Sequence, residues 1–320
     1  MKDFFNAIRH FFEQQFTSSS EGAYDINHLF LQYLILAAVI FAIVAFMVIA
    51  GALKYHSKKR QEVPKQVSGH KTLEITWTVL PLIAVTVFFF LTLKVMKKIN
   101  RPFKKDQKPD IEIIAHQFWW DMRYPKYGII TANELHIPAG EKLLMRIQSA
   151  DVIHSWWVPD LGRKTDAVPG HINHSWIDAD KPGVYKGTCS EYCGAEHAWM
   201  RIKVVAQTRE DFDKWVEHQK QIPPAPTDSV AREGAKMFQS MTCANCHAIA
   251  GTPANAHIGP DLTHVGSRTT ILSGMLTNNL KNMKRWLTNP QKVKEGAHMP
   301  NFMLTKDQVN ALSTYLEELK

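Results

Sequence analysis

The 320-residue sequence predicts a multidomain membrane protein: a two-helix transmembrane hairpin, then an all-β domain, then an all-α domain. Three observations carry this reading. Two long apolar runs near the N-terminus are free of charge. The middle of the chain breaks into short β-type segments separated by Pro and Gly turns. A proline-rich stretch then gives way to helical patterning with one-faced apolar stripes. At 45 % hydrophobic and 21 % charged, the chain is neither disordered nor collagen-like, and four Cys are too few for a disulfide scaffold. Lys and Arg number 38 against 30 Asp and Glu, a net charge of +8. That excess suits an anionic membrane surface as well as it suits nucleic acid.

The N-terminal tail, residues 1–27, places Phe4, Phe5, Ile8, Phe12 and Phe16 at helical spacing and lacks the apolar stretch and cleavage site of a signal peptide. Residues 29–53 hold no charge and are interrupted only by Gln32, Tyr33 and Gly51. A second run is bounded by Glu74 and Lys94 and contains Pro81. Each run meets the need of a membrane helix for about 20 apolar residues. Spans of about 29–53 and 75–96, in a hairpin covering 28–98, follow. Six basic residues lie between the spans (Lys54, Lys58, Lys59, Arg60, Lys65, Lys71) and seven after them (Lys94, Lys97, Lys98, Arg101, Lys104, Lys105, Lys108), so the charge bias selects no orientation.

The β domain, residues 109–206, is predicted from segments 111–115, 134–137, 142–148, 172–177, 184–188 and 201–205, with turns at Pro138-Ala-Gly140, 159–162, Pro169-Gly170 and Lys181-Pro-Gly183. A helix over 209–219 and the stiff run Ile222-Pro-Pro-Ala-Pro-Thr227 make a connector, 207–227. The stiff run is expected to keep the last domain near the β domain, raising its effective concentration there without a tight interface. In that last domain, 228–320, Asp228 caps a helix over 229–240, in which Gly234 and Phe238 are expected to pack on the last helix. Thr305 and Gln308 form a capping box ahead of the apolar stripe Val309, Leu312, Leu316, Leu319.

Two motifs carry chemistry. Cys243-Ala-Asn-Cys246-His247 reads as covalent attachment of a c-type haem, with thioether bonds from both thiols and the imidazole on the iron. A zinc site would call for a second Cys or His pair, and no further Cys follows. A thioether is the usual sixth ligand in electron transfer; Met299, before Pro300, and Met303 are the candidates. The second motif, Cys189-Ser-Glu-Tyr-Cys193-Gly-Ala-Glu-His197-Ala-Trp-Met200, gathers two thiols, an imidazole and a thioether in twelve residues. That soft set favours a copper electron-transfer site. Two Cys bridging a pair of copper ions uses both thiols, with a second imidazole from His154; a structural disulfide is the alternative.

Residues 151–159, 161–170 and 182–200 resemble subunit II of haem–copper cytochrome c oxidase, as do the two spans and Ala115-His-Gln-Phe-Trp-Trp120 at the opening of the β domain. Residues 228–320 resemble class I cytochromes c, and the combination resembles the caa-type oxidases, whose subunit II carries a fused cytochrome c. The likeness runs from about residue 28 to 320. It implies a cupredoxin-like β domain with a dinuclear CuA centre: Cys189 and Cys193 bridging, His154 and His197 each on one copper, Met200 as weak axial ligand and the Glu191 backbone carbonyl as the other. The Glu191 carboxylate would meet a magnesium ion shared with subunit I. Met299 becomes the haem ligand beside His247. Glu74 falls at the family's inner proton-channel mouth, although a helix N-terminal acid is an equally physical role. Phe118, Trp119 and Trp120 fall where electrons enter; many relatives carry Trp at the position of Phe118, so the donor interface differs.

The resemblance further implies a function: taking electrons from cytochrome c or another respiratory donor through haem c to CuA and on to the low-spin haem of subunit I. Oxygen would be reduced and protons pumped in subunit I, so no catalytic residue is expected in this chain. Implied partners are subunits I and III and membrane lipid, with no nucleic acid. The implied place is the bacterial inner membrane, two-pass, with the copper and cytochrome domains on the outer, periplasmic side. A nitric oxide reductase with a CuA centre would share this signature, because the terminal acceptor lies on another chain.

Overall fold

The computed structural model describes residues 18–56, 68–104 and 106–320. The tail pattern from Phe4 to Phe16, and Lys58, Lys59, Arg60, Lys65 and Lys105, lie outside the described residues. Among the described residues two compact units form: one within residues 24–102, and one from residues 103–320 together with residues 18–23.

The first unit is a helical hairpin. Helix α1 runs Glu21–Lys54 and α2 runs Lys71–Ile99. Both are long and apolar enough to cross a membrane, and their apolar windows bury nothing inside the protein. At 34 residues, α1 is about 51 Å long, well over the ~30 Å hydrocarbon core. Both helices exceed the expected spans because polar turns and caps extend them: Ser20 Oγ accepts from Ala23 N–H, and His70 Nδ1 accepts from Leu73 N–H. Lys98 pairs with Asp25 at 2.7 Å, and Tyr33 stacks on Phe88 at 4.1 Å while its hydroxyl meets Thr92 at 3.1 Å. The helices are thus antiparallel, held by the Asp25–Lys98 pair and the Tyr33–Thr92 contact beside the Tyr33–Phe88 stack.

The second unit begins with a β-sandwich. Its strands are β1 Ile111–His116, β2 Trp119–Tyr124, β3 Ile129–Ala132, β4 Glu134–Pro138, β5 Leu143–Ser149, β6 His154–Trp157, β7 Thr165–Ala167, β8 Asn173–Ile177, β9 Gly183–Cys189 and β10 Arg201–Gln207. They form two five-stranded sheets, ordered β3-β2-β1-β5-β8 and β4-β10-β9-β6-β7. Only β1–β5 and β4–β10 pair in parallel. The two sheets share one core that includes Trp120, Met122, Leu135, Ile147 and Trp156. All six expected segments are strands; β2, β3, β6 and β7 are additional. Helix α3, Arg209–Gln219, is capped by Thr208 and closes one end of the sandwich, with Trp215 stacked on His136 at 4.4 Å.

The remainder is helical: α4 Ser229–Ser240, α5 Leu280–Thr288, α6 Pro290–Val293 and α7 Lys306–Glu318, with a minimal hairpin β11 Thr270–Ile271 and β12 Leu276–Thr277. The Thr305–Gln308 capping box forms as its spacing predicts. Helices α4 and α7 cross at Gly234, where a Cβ would collide with the Ala311 carbonyl, and Phe238 meets Tyr315 edge-on at 6.0 Å. Only glycine permits so close a crossing.

The two domains of this unit are joined by an ordered interface, where the stiff connector suggested a loose tether. Glu134, 3 % exposed at the start of β4, accepts from Thr270 N–H at 2.8 Å, Thr270 Oγ1 at 2.7 Å, Thr269 Oγ1 at 2.6 Å and Thr269 N–H at 3.2 Å. Lys203 faces the same carboxylate at 3.6 Å and also meets Thr269 Oγ1. Ser273 Oγ donates to the Phe118 carbonyl at 2.8 Å, and Arg201 N–H donates to the Ser273 carbonyl at 3.2 Å. The Lys294 ammonium donates to the carbonyls of Phe118 at 3.1 Å and Trp199 at 3.4 Å. A linker composition reports stiffness only; complementary side chains brought together by folding are what lock the domains.

Candidate functional site

The first site lies where β6 and β9 run side by side, with Trp156 opposite Cys189. His154 opens β6 and Cys189 ends β9. The intervening loop is strapped shut: Cys189 N–H donates to the Met200 carbonyl and Ser190 N–H to the Ser155 carbonyl, each at 2.9 Å. His197 begins a 3-10 turn that delivers Met200 to the start of β10. Gly194 has φ +131°, and a Cβ there would press to 3.0 Å on Phe118 and Gln117, so the loop needs glycine.

These elements converge sulfur and nitrogen. Cys189 Sγ and Cys193 Sγ lie 3.9 Å apart, unbonded. His154 Nδ1 is 3.8 Å from Cys189 Sγ, and His197 Nδ1 is 3.6 Å from Cys193 Sγ. Met200 Sδ is 3.9 Å from Cys193 Sγ, and the Glu191 carbonyl oxygen is 3.2 Å from Cys189 Sγ. His154, Cys189, Cys193 and Met200 are buried, whereas Glu191 is exposed. The structure therefore brings all six sequence-predicted positions of this site to one point.

The electrostatics explain what the cluster asks for. The hydrogen bond from Cys193 holds Cys189 far below the usual thiol range, against burial, with His154 adding to the effect. The same bond, with burial, pushes Cys193 up. One thiolate forms easily and a second beside it does not, unless positive charge enters. Burial opposes the His154 imidazolium, but bonding to Asp151 and Cys189 outweighs it and raises the group. His154 Nε2 sits 2.7 Å from Asp151, which fixes the ring so that Nδ1 faces the sulfurs. Asp151 also accepts Gln117 N–H at 2.6 Å, and Gln117 Nε2 donates to the Cys193 carbonyl at 2.5 Å. Sequence reasoning assigned no role to Asp151 or Gln117; their signal was position, one three residues before His154 and the other beside the aromatic run. Buried soft donors with an unmet need for cationic charge fit copper.

The second site starts in the 3-10 turn Thr242–Asn245. Cys243 on it and Cys246 at its C-terminal cap are half-buried, and His247 N–H donates to the Cys243 carbonyl at 3.1 Å. His247 Nδ1 lies 2.8 Å from the Pro260 carbonyl, which places its proton there and leaves Nε2 free as a ligand. Burial lowers the imidazole and keeps it neutral. A Cβ on Gly259 would reach 2.5 Å from His247 Cε1, so that cradle also requires glycine. These features fit a covalently held haem. Met299 is half-buried against the helical core; Met303, at φ +51°, is 85 % exposed.

The remaining sequence-predicted residues are placed as follows. Phe118 is buried and meets His298 of the helical domain, Trp119 is buried and stacks on His116, and Trp120 lies in the core against His154 and Trp156. Glu74 Oε1 accepts from His70 N–H at 3.1 Å, making a reciprocal cap with His70 at the start of α2.

Three families match in chain order: cytochrome c oxidase subunit II, transmembrane domain, over residues 10–95; cytochrome c oxidase subunit II, periplasmic domain, over 128–207; and cytochrome c over 231–320. The chain is 38 % identical to cytochrome c oxidase subunit 2 of Alkalihalophilus pseudofirmus over 90 % of its own length and 86 % of that protein. It is 37 % identical to the subunit 2 of Bacillus sp. over 82 % and 78 %. Among solved structures, the periplasmic domain of subunit II of cytochrome oxidase of Bradyrhizobium japonicum is 32 % identical, covering 36 % of this chain and 96 % of its own, with a TM-score of 0.34. A membrane hairpin, a two-sheet domain with its sulfur–imidazole cluster and a helical domain with its Cys-x-x-Cys-His turn occur in the order of those families, and the chain belongs to the cytochrome c oxidase subunit II family, in a form that carries a cytochrome c domain.

Proposed function

We propose that this chain is the subunit through which electrons enter a proton-pumping respiratory cytochrome c oxidase. Electrons would come from cytochrome c or another donor, pass by haem c and a dinuclear CuA centre, and leave for the low-spin haem of subunit I, where oxygen is reduced to water. The observation that carries this is the convergence of His154, Cys189, Cys193, His197, Met200 and the Glu191 carbonyl. When bound, copper and haem iron supply one-electron carriers at the two sites.

The chain's own residues do the rest. Cys189, Cys193, and the Nδ1 atoms of His154 and His197 would hold the two coppers, with Met200 and the Glu191 carbonyl completing the donor set. Asp151 holds the proton on His154 Nε2. Cys243 and Cys246 would hold the porphyrin, with His247 and Met299 as the residues to hold its iron; the Pro260 carbonyl holds the proton on His247 Nδ1. Burial of the Phe118 side chain beside His298 of the fused domain supports that domain as the immediate donor. The exposed Glu191 carboxylate suits magnesium shared with subunit I, and Glu74 suits a channel mouth in addition to its cap. We place the hairpin in the bacterial inner membrane beside subunits I and III, with both metal domains on the periplasmic side. The basic residues between 94 and 108 would meet anionic lipid head groups or acidic partner surfaces there.

The test is metal and haem analysis with visible and near-infrared spectroscopy of the full chain. Two coppers with a mixed-valence signature and one covalent haem c per chain are expected. A Cys189–Cys193 disulfide and no copper, in a preparation given ample copper, would overturn the reading.

A further inference from the structure

The loops that carry the two sites are joined by a short, fully specified chain of contacts. Lys294 caps the C-terminus of α6, its N–H donating to the Pro290 carbonyl at 2.8 Å. Gln291, on the same turn, donates through Nε2 to the carbonyls of Ala297 at 2.8 Å and Met299 at 3.0 Å. Ala297 N–H returns to the Lys294 carbonyl at 3.2 Å. The Met299 loop is therefore tied to α6. From α6 the Lys294 side chain crosses the interface to the Phe118 and Trp199 carbonyls. Trp199 immediately precedes Met200 and shares the turn with His197. Phe118 packs on Gly194, in the loop just after Cys193.

A lysine 4 % exposed is costly: its long stem loses rotamer freedom and its ammonium loses water. Here both losses are met by carbonyls of the other domain, with the Glu196 carboxylate supplying opposite charge. Glu134 and its threonines hold the domains together at a separate edge, so mere association does not require Lys294.

We propose that Lys294 is a positioning residue for electron passage between the two sites: by pinning the Met299 loop to the Phe118 and Trp199 backbone, it sets the separation and orientation of the two centres. The assignment rests on the copper and haem readings given above.

The experiment uses the assembled oxidase and Lys294→Met, which keeps an unbranched stem and removes the donors. Electrons are injected photochemically into the haem domain and followed optically at both centres. Transfer slowed about tenfold or more, the scale on which small misplacements of reacting groups act, is expected, with both centres' spectra unchanged. Lys294→Arg, which keeps donors, restores part of the rate. A second readout does not depend on electron transfer: hydrogen exchange of the assembled oxidase. Faster exchange at the Ala297 amide and at the Arg201 amide, which crosses to Ser273, is expected in Lys294→Met.

Wild-type transfer and exchange in Lys294→Met overturn the proposal. Absence of transfer in the wild-type complex would instead sink the copper and haem reading, and the exchange readout would still judge Lys294. Should Lys294→Met fail to fold, Lys294→Gln, which is shorter and uncharged, carries the same two readouts. A slower transfer then supports the pinning, and an unchanged one overturns it.

Discussion

Asp151 accepts from His154 Nε2 at 2.7 Å and turns Nδ1 toward Cys189, so a residue that binds no metal decides how well one is bound. Asp151→Asn is expected to weaken copper binding by about 10–100-fold, measured by competition with a chelator. Cys189→Ser or Cys193→Ser should abolish the mixed-valence copper signal and leave the haem c spectrum intact. Met299→Ala should do the opposite, changing haem ligation while copper is retained; an unchanged haem spectrum in that variant would move the ligand to Met303. The exposure of Met303 and the half-burial of Met299 favour the first outcome. The thiols, imidazoles and thioether were legible because their spacing is itself chemical information. Asp151 and Gln117 were not, because an orienting residue is recognised only by what it touches.

Helices α4 and α7 meet through Gly234, and the crossing has no space for a methyl group against the Ala311 carbonyl. Gly234→Ala is expected to destabilise the helical domain by about 1–3 kcal/mol, the usual cost of overpacking, read as a lower midpoint of its thermal unfolding. Periodicity gave six strands because each alternates or stands between clear turns. Strand β2 escaped it: in Trp119–Tyr124 nearly every residue is buried, so the sequence shows no alternation. Strands β6 and β7, four and three residues long, offer too few positions to show a period. Helix α5 was hidden by Lys281, Lys284 and Arg285, which leave only Met283 and Leu287 buried. The capping box of α7 shows the reverse case, where two residues at fixed spacing specify an end.

Over the whole molecule, the interface between the two metal-bearing domains was the feature least visible in the sequence, since its partners lie up to 176 positions apart. Its Glu134 edge has a definite pH dependence. Burial raises this carboxyl, but bonds from Thr269 and Thr270 and the charge of Lys203 outweigh burial and leave it lowered. A lowered carboxyl stabilises docking above its unfolded value and loses that contribution as pH falls through the native one. Docking should therefore loosen below the ordinary carboxylate range, seen as faster exchange of the Thr269 and Thr270 amides, and Glu134→Gln should loosen it at neutral pH and flatten the dependence. Because the Glu134 and Lys294 contacts are buried, dissolved electrolyte screens them little, whereas a charged donor approaching from solution is screened strongly. Varying ionic strength should thus slow or speed only the encounter with the outside donor and leave the internal step untouched, separating the two kinetically in one titration.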